Sequence, residues 1–184
     1  MKRFILTGAP GSGKTAILRH LELEGFGIVE EAATDLIALR QSRGIAEPWV
    51  QPHFVEDVGD LQMRRLERAS RGPEAVQFHD RSVICTLALT RYLELSEPAS
   101  LTQAVERIVR EGIFEKTVFF ARPLGFITPT AARRISFEES LRFGQMHEAA
   151  YRALGFDLVF IEPGPVPDRA SAILAVLPDA RGAA

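Results

Sequence analysis

The chain has 184 residues, 46% of them hydrophobic and 25% charged, which suits one compact domain with a buried core. The formal net charge of −2 gives no global attraction for nucleic acid, although a local basic groove stays open, and no apolar run approaches the roughly 20 residues of a membrane-spanning helix. The single cysteine, Cys85, excludes an internal disulfide and fits a reducing compartment, so we expect a cytoplasmic protein without a transmembrane segment.

Strand-like and helix-like segments alternate along the chain without repeats, which is typical of a parallel sheet covered by helices on both faces. Five strands are predicted, at residues 3–7, 27–30, 75–79, 117–121 and 158–161. Seven helices are predicted, at residues 14–24, 31–42, 53–71, 82–95, 101–111, 136–154 and 168–177. We therefore expect a three-layer α/β fold in a single domain over residues 1–178, followed by a flexible tail at 179–184.

The first strand leads into a phosphate-binding P-loop. Residues 8–15 fit the pattern G-x-x-x-x-G-K-[ST] without a mismatch, between a strand and a helix as the motif requires. Its glycines let successive N–H groups point at phosphate oxygens, Lys14 can reach the β- and γ-phosphates, and Thr15 can place its hydroxyl on Mg²⁺. We therefore expect ATP and Mg²⁺ as cofactors. The predicted nucleotide-binding residues are Gly8, Ala9, Pro10, Gly11, Ser12, Gly13, Lys14 and Thr15.

Two adjacent carboxylates, Glu30 and Glu31, follow the second strand. A carboxylate at this position can accept the proton of a substrate hydroxyl during phosphoryl transfer. Side-chain alternation lets only one of them face the site, and we favour Glu31, the residue that leaves the strand. Acidic residues are also common in the first turn of a helix, which explains the pair equally well.

The connection at residues 45–52 is long and carries two prolines and the only tryptophan. Long connections in compact domains are often functional. Trp49, His53 and Phe54 either wall an acceptor pocket or, as is more usual for aromatic residues at a helix start, belong to the core.

The third strand is followed by Asp80 and Arg81. Asp80 is a candidate Mg²⁺ ligand, and the alternative, which is compatible with that role, is that Asp80 or Ser82 caps the next helix. The Arg81 guanidinium can hold an acceptor or the transferred phosphoryl group, and the alternative is a surface arginine paired with a carboxylate. Because ligands bind beyond the carboxyl ends of parallel strands, we expect these groups to converge near the P-loop.

The connection at residues 122–135 carries two prolines, a glycine and three arginines. Arg133 and Arg134 lie just before a predicted helix, where they can close over the phosphates as a lid and neutralise developing charge. A solvated basic pair is the alternative.

Taken in their order along the chain, these motifs resemble the AAA-type P-loop predicted ATPase family. That family is similar to the kinase domain of the bifunctional NAD-regulatory proteins. The resemblance lies in residues 8–15, 29–33, 79–81, the arginine-bearing connection and residues 151–156. It spans nearly the whole chain, and only the P-loop within it is highly specific. An extended Asp-Asp or Asp-Glu Walker B pair and a sensor segment are absent, which argues against a mechanical AAA+ motor.

The segment Asp80-Arg81-Ser82 also resembles the acidic-Arg-Ser motif of deoxynucleoside kinases. This resemblance implies that Asp80 supports Mg²⁺, that Arg81 supports the substrate and that Glu31 is the base. It also implies a five-stranded, nucleoside- or nucleotide-kinase-like P-loop core with a small lid, which we place at about residues 122–150.

The sequence thus predicts an ATP- and Mg²⁺-dependent phosphotransferase that acts on a small hydroxylated acceptor, such as a nucleoside-like metabolite, and not on nucleic acid. The alternative is a nucleotide-dependent switch, an ATPase or GTPase that binds a protein or lipid partner. An Asn-Lys-x-Asp guanine signature is absent, which favours ATP over GTP. The acceptor and the oligomeric state stay open, because no motif encodes them.

Overall fold

The structure, a computed structural model, describes residues 1–126 and 135–177 of the chain. A five-stranded parallel sheet with the strand order β2-β3-β1-β4-β5 lies at its centre. The strands are β1 (Lys2–Gly8), β2 (Gly27–Val29), β3 (Val76–Asp80), β4 (Thr117–Ala121) and β5 (Asp157–Ile161). The predicted α/β fold with five parallel strands is therefore confirmed.

Helices connect the strands and cover both faces of the sheet. The helices are α1 (Lys14–Leu23), α2 (Ala32–Ser42), α3 (Phe54–Ala69), α4 (Val83–Tyr92), α5 (Ala99–Arg110), α6 (Phe137–Ala153) and α7 (Val166–Leu174), with a short 3₁₀ turn at Pro48–Val50. No helix in the described part of the chain is both long and apolar enough to cross a membrane.

Two apolar layers hold the sheet, because alternate residues of each strand face opposite sides. Phe4, Phe78 and Phe119 face α1 and α7, and their rings contact one another with centroids 5.7–6.2 Å apart. Ile5 and Val118 face the opposite layer, formed by α4, α5 and α6. Burying each such side chain contributes about 1.5–3 kcal/mol, so the two layers fix the sheet firmly.

The register of the strands brings the chemistry-bearing residues to one edge of the sheet. Leu6 of β1 pairs with Asp80 of β3, and Gly8 pairs with Ala121 of β4. The backbone N–H of Arg81 then donates to the Leu6 carbonyl at 3.1 Å, one residue beyond the end of β3. The P-loop and the segment after β3 therefore lie side by side at the carboxyl edge of the sheet.

Candidate functional site

The P-loop has a backbone geometry that requires glycine. Gly8, Gly11 and Gly13 have φ angles of 134°, 82° and 80°. At Gly8 the loop passes so close to β4 that a Cβ atom would lie 2.3 Å from the carbonyl oxygen of Ala121. Gly13 occupies the N-cap position of α1, so the loop opens directly into the helix N-terminus, where backbone N–H groups attract anions.

Lys14 lies inside the P-loop. Its ammonium donates to the carbonyl oxygen of Ala9 at 3.1 Å and to that of Gly8 at 3.4 Å, with the Ser12 Oγ also at 3.4 Å. Burial, and next the charge of Arg81, lower the pKa of Lys14 to about 8. The ammonium therefore stays mostly protonated at neutral pH, at the place where phosphate oxygens would bind.

A buried ion pair joins the residues that follow β2 and β3. The Arg81 Nε donates to the Glu31 Oε1 at 2.7 Å, and the hydroxyl of Thr34 donates to the other carboxylate oxygen at 2.6 Å. Burial favours the neutral acid, but the charges of Arg81 and Lys14 prevail and lower the pKa of Glu31. The Glu31 carboxylate is therefore ionised, and it lies close enough to Lys14 for the two charges to interact.

The two adjacent glutamates are clearly separated in space. Glu31 occupies the N-cap position of α2 and contributes no side-chain cap, since its carboxylate pairs with Arg81. The Glu30 side chain is 55% exposed and pairs with Arg19 on α1. Of the two candidates, only Glu31 reaches the segment that follows β3.

Arg81 is buried and has a left-handed backbone conformation with a φ of 70°. Non-glycine residues rarely adopt this conformation, so the surrounding contacts must hold it. Its guanidinium contacts Glu31 on one side, and its Nη1 lies 3.1 Å from the Nδ1 of His147 on α6. The alternative prediction, that Arg81 is a surface arginine paired with a carboxylate, is wrong about the surface position. The pairing itself is present, with Glu31.

Asp80 is the last residue of β3 and is 7% exposed. Burial, and next the charge of Glu31, raise the pKa of Asp80 to about 6. The helix α4 is instead capped by Ser82, whose Oγ accepts from the N–H of Ile84 at 3.2 Å. The interpretation of Asp80 as the helix cap is therefore wrong.

A buried carboxylate oxygen of Asp80, Oδ1, has no hydrogen-bond partner among the described residues. An unpaired carboxylate oxygen beside the P-loop fits a Mg²⁺ ligand, because Mg²⁺ combines one or two protein oxygens with phosphate and water. Thr15 is exposed at the start of α1 and can supply a hydroxyl. Residues 1–126 and 135–177 contain no cluster of three His, Cys, Asp or Glu side chains arranged to hold a metal by themselves.

A small cavity of about 20 Å³ lies beside Asp80 and Arg81, with room for about one water molecule. His79 lines it, and burial, with the charge of Arg3, lowers the pKa of His79 to about 3, so the imidazole is neutral. Arg65 of α3 closes it by donating to the carbonyl oxygens of Glu30 at 2.8 Å and Glu31 at 2.7 Å. The cavity is lined by Val29, Glu30, Gln62, Met63, Arg65, Leu66, His79, Asp80, Arg81, Ser82, Val83, Ile108 and Phe114.

The aromatic residues near the connection at 45–52 do not line this cavity. Phe54 is 2% exposed and packs with Ile37 and Val58, and Trp49 packs against the same cluster. His53 is exposed and contacts Glu56. The core interpretation therefore holds for Phe54 and Trp49.

The sequence profile of a family described as an AAA domain matches residues 3–169. The chain belongs to this AAA domain family. A search of curated proteins found no match.

Solved structures resemble this AAA domain over nearly its whole length. Deoxyadenosine kinase from M. mycoides, bound to its product dCMP and a flexible dCDP, is 11% identical with a TM-score of 0.60, covering 94% of this chain and 97% of that chain. NadR protein in complex with NAD and AMP-PNP is 17% identical with a TM-score of 0.64, covering 100% of this chain and 52% of that chain. NadR protein in complex with NR is 18% identical with a TM-score of 0.64, covering 100% of this chain and 54% of that chain.

These likenesses confirm the predicted P-loop nucleoside-kinase-like fold and the resemblance inferred from the motifs. The AAA domain spans about half the length of the NadR chains.

Two predicted lid residues of the AAA domain, Arg133 and Arg134, lie outside the described residues. The first part of the predicted lid region is described as far as residue 126, and α6 occupies its second half. Arg122 follows β4, with its guanidinium 3.8 Å from the ring centroid of Phe160 and 3.9 Å from the carboxylate of Glu162.

Three side chains of the AAA domain that contact the candidate site were not found by sequence reasoning. They are Arg65 on α3, His147 on α6 and Arg169 on α7, whose Nη1 donates to the Ser12 carbonyl at 2.8 Å. The contacts with Glu31, Arg81 and Ser12 span 34, 66 and 157 positions of the chain. No local pattern marks such residues, because only the folded sheet brings them to the P-loop.

Proposed function

We propose that this AAA domain is an ATP- and Mg²⁺-dependent phosphotransferase that acts on a small hydroxylated acceptor, such as a nucleoside-like metabolite. The ion pair of Glu31 and Arg81 carries the proposal, because it presents a carboxylate and a guanidinium close enough to influence the charge of Lys14. We further propose one domain over residues 1–178, with a lid at about residues 122–150.

The P-loop binds the phosphates of the donor. Its backbone N–H groups and the Lys14 ammonium contact phosphate oxygens, and the N-terminus of α1 adds partial positive charge. Thr15 and Asp80 would hold Mg²⁺, which neutralises phosphate charge when it is bound. Arg133 and Arg134 close over the phosphates from the lid.

Glu31 is the base in this proposal. The acceptor oxygen forms a bond to the γ-phosphorus, the bond from that phosphorus to the β,γ-bridging oxygen breaks to release ADP, and the hydroxyl proton passes to the Glu31 carboxylate. The lowered pKa of Glu31 keeps the carboxylate ionised at neutral pH, which is the form that a base requires. Arg81 holds the acceptor or the transferred phosphoryl group.

The acceptor enters through the space around Arg65. A groove of about 400 Å³ is lined by Val29, Glu30 and Arg65, which also line the small cavity beside Arg81. A volume of this size is typical of small-molecule sites, which hold about 300–1,000 Å³.

The bound molecules in the similar structures guide the choice of acceptors to test. Deoxyadenosine kinase holds dCMP and dCDP in one structure. NadR protein holds NAD and AMP-PNP in one structure and NR in another. Nucleosides, deoxynucleosides and nicotinamide ribosides are therefore the first acceptor panel for this chain.

A phosphorylation screen tests the proposal. The purified protein is incubated with ATP, Mg²⁺ and the acceptor panel, and mass spectrometry detects any acceptor that gains one phosphoryl group. The Lys14→Ala variant is the control for donor binding. A phosphorylated acceptor that requires Lys14 supports the kinase, whereas ATP hydrolysis without such a product points to the nucleotide-dependent switch.

A further inference from the structure

One face of α6 contacts both halves of the candidate site. Gly144, His147 and Tyr151 recur at helical spacing along this face. A Cβ on Gly144 would lie 3.2 Å from the Cβ of Ala9 in the P-loop. The hydroxyl of Tyr151 lies 2.9 Å from the Ser82 Oγ, in the segment that follows β3. The helix α6, which occupies the second half of the predicted lid region, thus contacts both the P-loop and the segment that holds Arg81.

His147 occupies the centre of this face and is fully buried. Its ring packs against Phe143 with centroids 4.2 Å apart, and the Arg81 Nη1 lies 3.1 Å from Nδ1 and 3.4 Å from Nε2. Burial, and next the charges of Arg81 and Lys14, lower the pKa of His147 well below its usual value. A neutral imidazole has one nitrogen that accepts a hydrogen bond, and Arg81 can donate to it.

The same imidazole is tied to the P-loop. Hydrogen bonds with the backbone of Gly8 and Cys85 oppose the lowering of the pKa of His147. The ring therefore lies between the Arg81 guanidinium and the main chain of Gly8, at the start of the P-loop, and of Cys85 on α4.

Arg81 needs contacts of this kind. Its left-handed backbone, with a φ of 70°, is costly for a residue with a side chain. Glu31 contacts its Nε and His147 contacts its Nη1, so the planar guanidinium is held at two separate points. Removing either contact would therefore weaken the constraint on the orientation of this plane.

We propose that His147 is a positioning residue that fixes the guanidinium plane of Arg81 beside Glu31 and couples it to the P-loop. This inference rests on the proposed kinase function, because Arg81 then has an acceptor or a phosphoryl group to hold. His147 touches neither of them and acts through Arg81.

A double-mutant cycle tests the inference. We expect His147→Ala to lower kcat on the order of 10- to 100-fold, because misplaced catalytic groups cost rates of this size, while the KM for ATP changes less than about threefold. His147→Gln should retain more activity, since its amide oxygen can still accept from Arg81. In an Arg81→Ala background, His147→Ala should cause no further loss.

Glu148→Ala is the matched control. Glu148 is the next residue on α6, but it pairs with Arg152 away from the site, so its removal should leave kcat unchanged. Losses from His147→Ala and Arg81→Ala that add in the double variant would overturn the inference. Unchanged kcat in His147→Ala would overturn it as well.

A second measurement does not depend on turnover or on the folding of His147→Ala. Imidazole ¹⁵N spectra are recorded for the parent protein and for Arg81→Ala without any ligand. We expect Arg81→Ala to shift the His147 nitrogen signals, because it removes their donor. Unchanged signals in a protein that phosphorylates an acceptor would overturn the positioning role alone. Shifted signals in a protein that phosphorylates nothing would defeat the proposed function, and the positioning role with it.

Discussion

The donor and acceptor sides of the candidate site are built in opposite ways. The donor side is one continuous segment, residues 8–15, and it presents mainly backbone N–H groups. The acceptor side is assembled from side chains on separate elements, with Glu31 before α2, Arg81 after β3 and His147 on α6. A short pattern can therefore specify the first side, whereas only the complete fold creates the second.

One cluster of charged side chains links the two sides. Lys14, Glu31, Asp80 and Arg81 carry two cations and two carboxylates that shift one another's pKa values. Such charges stabilise one another, because Lys14, Asp80 and Arg81 are buried and Glu31 is only 25% exposed. A change at one residue of the cluster should therefore shift the pKa values of its neighbours, and the following experiments test how far each side of the site depends on the other.

The largest expected effect separates the two adjacent glutamates. Glu31→Gln should slow phosphoryl transfer by about 10²- to 10⁴-fold, because it removes the general base, while ATP affinity stays nearly unchanged. Glu30→Gln is the matched control, since the Glu30 side chain is exposed and pairs with Arg19. Steady-state transfer rates and ATP titrations measure both. Equal rates for the two variants would remove Glu31 as the base.

On the donor side, Lys14→Ala should lower turnover by about 10²- to 10³-fold, because an ammonium that stabilises developing phosphate charge is lost. ATP affinity should fall with it, unlike in Glu31→Gln. Calorimetric titration with ATP and turnover assays give the two values. Turnover within about threefold of the parent would contradict the assignment of the P-loop.

Asp80 tests the charge cluster through stability. Its pKa is raised from 3.8 to about 6, so the folded protein binds this proton more tightly than the unfolded chain does. The resulting stabilisation is complete below about pH 4 and is lost as the pH rises through about 6, an effect of about 3 kcal/mol. Urea unfolding across this range, without Mg²⁺, should show this loss in the parent protein and not in Asp80→Asn.

In the same variant, the Mg²⁺ concentration for half-maximal activity should rise, because the amide lacks the charge of the carboxylate. If the free energy of unfolding varies with pH in the same way in the parent and in Asp80→Asn, the pKa of the Asp80 carboxyl is not raised in the folded protein. An unchanged Mg²⁺ requirement would remove it as a metal ligand.

The smallest expected effect concerns the contact between the two sides. Gly144→Ala places a methyl group 3.2 Å from Ala9, so the P-loop must give by a few tenths of an ångström. The better helix propensity of alanine, about 1 kcal/mol, offsets this cost, and stability should barely change. ATP affinity should fall about fivefold, equivalent to one hydrogen bond. Unchanged affinity would show that α6 does not constrain the P-loop.

The fold was predictable because its information is local. The strand and helix pattern, together with the P-loop at residues 8–15, led to the observed parallel sheet. The choice of Glu31 over Glu30 needed only side-chain alternation and the end of β2, and the structure places Glu31 against Arg81. Its role as base stays a prediction.

Other parts of the site could not be predicted. The choice between Asp80 and Ser82 as the helix cap depends on where β3 ends, and the strand includes Asp80, one residue beyond the predicted end. His147 and Arg169 reach the site from helices far along the chain, so their contacts depend on how those helices pack.

The close approach of Gly8 to the Ala121 carbonyl has a further consequence for the motif as a unit. The loop takes its shape from a neighbouring strand that lies more than a hundred residues away in sequence. We therefore expect that residues 8–15 grafted onto another sheet would keep the motif sequence but not the loop conformation, unless the neighbouring strand β4 were transferred with them.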